Sequence, residues 1–268
     1  IPYELTVTQM EAKSAWETEC NDLPSLAEGL EVSDTVHGHI ANSVDDDLYR
    51  VSVRVASPLD IVFDTLPGTG APSTTGSYIL SLELGGEVID YLQVQAGQIN
   101  TMPVALYSGE YILRVQGTGV DSSDPYALSI EQVQDVDREF EPNNTQKFAN
   151  SLQHGVIKKG RLYGGSDIDY YRLNSSSAQG LALKAGGKCT VQLQTAAGTI
   201  INTLQADGGE ISKDIACKQD QTYYLQVNHN NQQQYSLSVA GINGAVEASK
   251  ALLSLNLLSA DQGKQSLD

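Results

Sequence analysis

Basic residues are scarce in this chain. Its 268 residues hold 16 Lys and Arg against 33 Asp and Glu, a formal charge of −17. A chain with so few cations cannot neutralise a phosphate backbone, which excludes nucleic acid as a partner. An anionic membrane surface repels it for the same reason. No run of apolar residues reaches the length of a bilayer span, so membrane insertion is not expected. Three cysteines, with no Cys-x-x-Cys and no Cys/His cluster, argue against zinc and thioredoxin chemistry. Only four His are present, and neither Gly-x-Ser-x-Gly nor His-Glu-x-x-His occurs, so no familiar catalytic arrangement is legible and the chain reads as non-enzymatic. Charge this high can mean disorder, but 40% hydrophobic residues and 13 Tyr indicate packed cores. The Ile1-Pro2 start reads as a processed or cut end.

An internal repeat is present. Shifted by 122 residues, Glu17, Glu19, Asn21, Ala27, Leu30, Gly38, Asp45, Asp47, Tyr49 and Arg50 fall on Glu139, Glu141, Asn143, Ala149, Leu152, Gly160, Asp167, Asp169, Tyr171 and Arg172. Further on, Tyr111–Val115 matches Tyr223–Val227 and Tyr126–Ile130 matches Tyr235–Val239, at offsets of 112 and 109. The first copy therefore holds extra residues, and Gly68–Gly76 has the composition of a surface loop. Two domains are expected, 17–133 and 139–242, joined by 134–138. Residues 1–16 form an N-terminal segment and 243–268 a tail that reads equally as a helical stripe or a strand.

Apolar residues alternate at period two, as in Leu48–Arg54 and Tyr78–Leu84, between clusters of Gly, Asn, Asp and Pro. That pattern predicts half-buried antiparallel strands, about eight per repeat, and hence two tandem jelly-roll-like β-sandwiches. One short helical stretch per repeat is expected, Pro24–Leu30 and Thr145–Leu152, the latter capped by Asn144-Thr145.

In an extended chain Glu17, Glu19 and Asn21 share one face, and Asp45 and Asp47 share another. If the rows meet, four carboxylates and an amide converge, and Asp22 adds a fifth carboxylate. Such crowding forces protonation unless a cation sits among them. An all-oxygen, flexible donor set selects Ca²⁺. The second copy repeats the pattern with Glu139, Glu141, Asn143, Asn144, Asp167 and Asp169, where Asn144 replaces Asp22 and removes one charge. Cys189 and Cys217, each in a strand-like segment, are expected to form a disulfide, which fits an oxidising compartment. His37 and His39 lie on one face of a predicted strand, but Lys159 and Arg161 stand in the second copy.

Glu17-Thr-Glu-Cys-Asn-Asp22 and Glu139-Phe-Glu-Pro-Asn-Asn144, each followed by Ala-x-x-Leu and Asp-x-Asp-x-Tyr, resemble the bacterial pre-peptidase C-terminal domain. The resemblance covers both repeats. It implies secreted, extracellular or periplasmic bacterial proteins, often beside protease domains. It also implies a relation to the collagen-binding modules of clostridial collagenases, which bind calcium through the corresponding acidic segment. Two departures stand out: Cys20 replaces the usual Pro, kept at Pro142, and no peptidase domain accompanies the repeats. The function expected is a calcium-stabilised accessory module that engages an extracellular protein or polysaccharide. The alternatives are an adhesin or matrix spacer and, less favoured, a carboxylate-based hydrolase. Tyr91, Tyr107, Tyr163 and Tyr170 are candidates for a binding surface, with core packing the favoured role for at least half of them.

Overall fold

The computed structural model describes residues 15–65, 75–120, 124–175, 179–218 and 220–241. The chain divides into two compact units, Ile1–Gln134 and Asp135–Asp268. It is all-β, and among the described residues no helix is long and apolar enough to cross a membrane.

The first unit contains β1 (Glu28–Gly29), β2 (Thr35–Gly38), β3 (Asp46–Val53), β4 (Ser57–Asp64), β5 (Ser77–Leu84), β6 (Glu87–Gln95), β7 (Ile99–Leu106), β8 (Gly109–Thr118) and β9 (Tyr126–Gln132). One sheet runs β2-β9-β4-β7 and the other β1-β3-β8-β5-β6. Apart from β1 and the β5–β6 hairpin, successive strands switch sheets in the wound order of a jelly roll. Alternate residues of each strand face inward: Tyr49, Val51, Ile61, Phe63, Leu80, Leu113, Val115 and Leu128 enclose one hydrophobic core.

The second unit contains β10 (Asn150–Ser151), β11 (Ile157–Leu162), β12 (Ile168–Ser175), β13 (Gln179–Thr195), β14 (Ile200–Asp207), β15 (Ile211–Cys217), β16 (Gln221–Asn228) and β17 (Gln233–Gly241). Its pairing repeats that of the first unit, with β13 standing for β4 and β5 together. Residues Gln179–Ala185 of β13 pair with β15, and Lys188–Gln194 pair with β14. The strand passes from one sheet to the other at Gly186-Gly187, where φ of Gly187 is +91°. The extra residues of the first copy thus fall between β4 and β5, although 66–74 lie outside the described residues.

Three expectations are corrected. The helical stretches are not helices. Leu23–Leu26 closes a turn and leads into β1, while Gln146–Phe148 is a single 3-10 turn leading into β10, and its Thr145 makes no side-chain cap. The reason is tertiary: Glu28-Gly29 and Asn150-Ser151 pair in parallel with β3 and β12, which uses their backbone groups in a sheet. Next, Cys189 and Cys217 form no disulfide; both are buried free thiols. Cys217 pairs with Gln179, ten residues before Cys189 on the same β13 strand. That is roughly 33 Å of strand contour, against the ~7 Å Cα separation that a disulfide tolerates. Burial pushes both thiols up to about 11. Lastly, the four candidate surface tyrosines are none of them in the core: Tyr107 is exposed, and Tyr91, Tyr163 and Tyr170 are half-buried. The tail 243–268 lies outside the described residues.

Candidate metal centre

The acidic segment of each unit bridges the two sheets. In the first unit Trp16 pairs in parallel with His37 of the edge strand β2, and Glu17 N–H donates to His37 O at 2.9 Å. Twelve residues later Glu28-Gly29 pairs with β3, the outer strand of the other sheet. Between these anchors the chain crosses the open edge of the sandwich and carries Glu17, Glu19 and Asn21 over the start of β3. The second unit does the same: Arg138 pairs with Lys159 of β11, and Asn150-Ser151 pair with β12.

Carboxylate oxygens of Glu17, Glu19 and Asp47 lie within 4.8 Å of one another, as do those of Glu139, Glu141 and Asp169. Asp45 and Asp167 are buried beside them. Their Oδ2 atoms accept the N–H groups of Ala41 (2.5 Å) and Tyr163 (2.8 Å), which fixes each carboxylate. Asp22 is half-buried, and its Oδ1 accepts Asp46 N–H at 3.2 Å. Asn21 and Asn143 are fully buried. Neither side-chain polar atom of Asn21 has a hydrogen-bond partner, and the Oδ1 atoms of Asp47, Asn143, Asn144 and Asp169 also lack one. Buried oxygens left without donors are costly. Their concentration beside clustered carboxylates is what a cation would relieve.

Each cluster is backed by two tyrosines. Tyr49 donates to Glu17 Oε2 at 2.7 Å and Tyr126 to Asp47 Oδ2 at 2.5 Å. In the second unit Tyr171 donates to Glu139 at 2.9 Å and Tyr235 to Asp169 at 2.7 Å. The other oxygen of each glutamate accepts a backbone N–H, from His39 and from Arg161, at 2.6 Å in both cases. Thus one face of each carboxylate is fixed by the protein. Gly38 and Gly160 make this possible, since a Cβ at either would collide with the ring of Tyr126 or Tyr235. Reading the sequence for ligands passed over Tyr126, Tyr235 and these glycines, although all four recur at matched positions of the repeat.

The electrostatics follow from burial without a compensating charge. Desolvation pushes Asp47 up to about 9, helped by the charges of Glu17 and Asp45 and opposed by the Tyr126 hydrogen bond. Asp169 is raised well above the carboxylate range by burial, then by Glu139, Glu141 and Asp167. Burial likewise raises Glu19, Asp45 and Glu139. The second cluster is the more enclosed: Glu141 is 6% exposed, whereas Glu19 is an exposed residue. Beside the first, Trp16 stacks on His39 at 4.9 Å and meets His37 at 5.4 Å, which gives both imidazoles a packing role.

No protein-family model and no curated protein matches the chain. Among solved structures, it is similar to the pre-peptidase C-terminal domain of collagenase from Bacillus anthracis. The identity is 27% over 37% of this chain and 97% of that one, with a TM-score of 0.32. It is also similar to the M60 catalytic domain with the CBM51-1 and CBM51-2 domains of Clostridium perfringens ZmpB, at 8% identity, 77% and 34% coverage and a TM-score of 0.27. The PBSX exported protein XepA matches at 11% identity, 79% and 83% coverage and a TM-score of 0.23. Scores this low leave the function to be argued from the site itself, and what the chain shows is similarity to a pre-peptidase C-terminal domain.

Proposed function

We propose that the chain is a non-catalytic, calcium-stabilised module, exported by a bacterium, that binds an extracellular protein or polysaccharide. In this reading Glu17, Glu19, Asn21, Asp22, Asp45 and Asp47 hold one Ca²⁺ and Glu139, Glu141, Asn143, Asn144, Asp167 and Asp169 hold another. The carrying observation is the pairing of crowded, buried carboxylates with partnerless amide and carboxylate oxygens, twice in one chain. Oxygen-only donors of this number suit Ca²⁺, whereas Mg²⁺ keeps its waters and demands a stricter octahedron. A structural role rather than acid–base catalysis is supported by the tyrosine and backbone donors that occupy one side of each carboxylate. The domains in this reading are 17–133 and 139–242, with 134–138 as the join.

Thermal unfolding with calcium and with chelator tests it. Calcium should raise the melting temperature by several degrees, since a ligand at 100-fold its Kd adds about 2.7 kcal/mol. Asp47→Asn and Asp169→Asn should each remove part of that gain. Identical melting curves with and without chelator would sink the calcium assignment.

A further inference from the structure

The outward face of the sheet holding β12, β16, β13 and β14 is mostly uncharged over its central rows, with Arg172 the one charged member. Register places Tyr170, Gln226, Gln192 and Thr203 side by side across the four strands. The next row runs Arg172, Tyr224, Gln194 and Ile200, of which Gln194 is buried and Ile200 exposed. These side chains lie on the opposite side of the sheet from the buried Tyr171, Leu225 and Val191. Of these eight residues none is acidic, one is charged (Arg172) and one is aliphatic (Ile200), and both of the latter lie at the ends of their row.

The amides are linked rather than loose. Tyr170 Oη donates to Gln226 Oε1 at 2.9 Å, and Gln194 Nε2 donates to the same oxygen at 2.6 Å. Gln146 Nε2, from the 3-10 turn, donates to Gln194 Oε1 at 3.3 Å. With its oxygen engaged twice, Gln226 keeps its amide hydrogens for an outside acceptor. Tyr224, half-buried, adds a flat ring beside it.

The first unit shows that the fold does not require this surface. At the same sheet positions stand Leu48, Arg114, Ser81, Tyr91, Ile112 and Glu83. Arg114 is held by Glu83 at 2.7 Å and by Asp46 at 2.8 Å, so its charge is spent within the sheet. Inward Tyr49, Leu82 and Leu113 recur as Tyr171, Leu193 and Leu225, whereas the outward-row positions all differ, and in the first unit Leu48, Ser81 and Glu83 are themselves buried.

Resting on the binding-module reading, we infer that this face of the second unit is the ligand site and that its ligand is a neutral polysaccharide. Electrostatic matching makes the choice. Residues 135–268 hold 13 Asp and Glu against 12 Lys and Arg, so the second unit carries almost no net charge and its field attracts neither a polyanion nor a polycation to this face. A cationic polymer would be drawn to the acidic surface elsewhere. An uncharged row of amides and tyrosines offers paired donors and acceptors that suit the hydroxyls of a neutral glycan. A protein partner would call for an apolar or aromatic cluster at the centre of the contact, and amides occupy it here.

The test is affinity electrophoresis of the intact chain, with calcium present, through gels containing soluble β-glucan, xylan or galactomannan, with polygalacturonate as the anionic control. The inference expects retardation by at least one neutral polymer, unchanged when salt is raised. It expects Tyr224→Ala and Gln226→Ala each to weaken binding on the order of tenfold, with Gln192→Ala as a third, milder probe. Tyr91→Ala in the first unit should leave binding intact. Melting temperatures of the variants report whether folding is preserved. Retardation only by polygalacturonate, no retardation at all, or full binding by well-folded Tyr224 and Gln226 variants overturns the inference. Capture of a purified collagen peptide with undiminished affinity by Tyr224→Ala would also overturn it, while leaving the binding-module reading in place. The calcium-dependent melting shift is read on the same samples and stands or falls separately.

Discussion

Asp47 and Asp169 are where burial and charge conflict most, and pH exposes the conflict. In metal-free protein the folded-state value of Asp47 is raised to about 9 from a reference of 3.8. Between those values the folded chain holds a proton that the unfolded chain has released. Stability of the metal-free protein therefore falls as pH rises through that window. With calcium the ligands must be ionised, so acidification expels the metal and the trend reverses. Melting in chelator should be higher at about pH 5 than at about pH 8, and in calcium lower; parallel trends in both would contradict the assignment. The glycines under the tyrosines give a second residue-scale prediction. Gly160→Ala forces a methyl into the ring of Tyr235. It should cost about 1–3 kcal/mol as overpacking and weaken calcium binding by displacing the hydroxyl that holds Asp169, which titration calorimetry would read. Thiol counting checks the cysteines: Cys20 is exposed and should react at once, while Cys189 and Cys217 should react only after unfolding. A single reactive thiol after denaturation would restore the disulfide.

At the scale of elements, alternation in the sequence was enough to read the strands, because a sheet with one dry face imposes period two on its residues. It was not enough for 23–30 and 145–152. There Ala149 and Leu152 sit at helical spacing, yet the segment crosses an edge and pairs in parallel with β12. Asn150 explains the choice. Its side chain accepts Phe140 N–H at 2.7 Å and donates to Phe140 O at 2.8 Å, which closes the acidic segment into a buried loop. Long-range satisfaction of this kind leaves no periodic signal. The acidic rows were legible, since the i, i+2 spacing of Glu17 and Glu19 survives in the folded segment. Their tyrosine backing was not, because Tyr126 is 79 residues from Asp47. The bend of β13 also follows from local chemistry. Gly187 has φ +91°, and a Cβ there would strike Gln234 O. Gly187→Ala should therefore destabilise the second unit by about 2 kcal/mol or more, seen as a lower midpoint in urea, and a neutral outcome would mean that β13 does not turn at this glycine.

Across the whole molecule the net charge of −17 is unevenly distributed, and two bound Ca²⁺ would reduce it to −13. The repeat made both clusters visible from sequence, but it also made them look alike, and they differ in depth. In the first, Glu19 is exposed and Asp22 adds a carboxylate; in the second, Glu141 is 6% exposed and Asn144 takes the place of that carboxylate. Charge favours the first site for attracting calcium. Enclosure favours the second for retaining it, because water and chelator must reach the ion before it can leave. The two sites should consequently release calcium at different rates. Mixing the loaded chain with an excess of fluorescent chelator should give two phases. Asp47→Asn should abolish the faster and Asp169→Asn the slower, each leaving the other in place. One phase of unit stoichiometry, or the reverse assignment of the two variants, would show that exposure of the glutamate does not control exit. The depth of each cluster would then have to be read as a feature of folding rather than of calcium exchange.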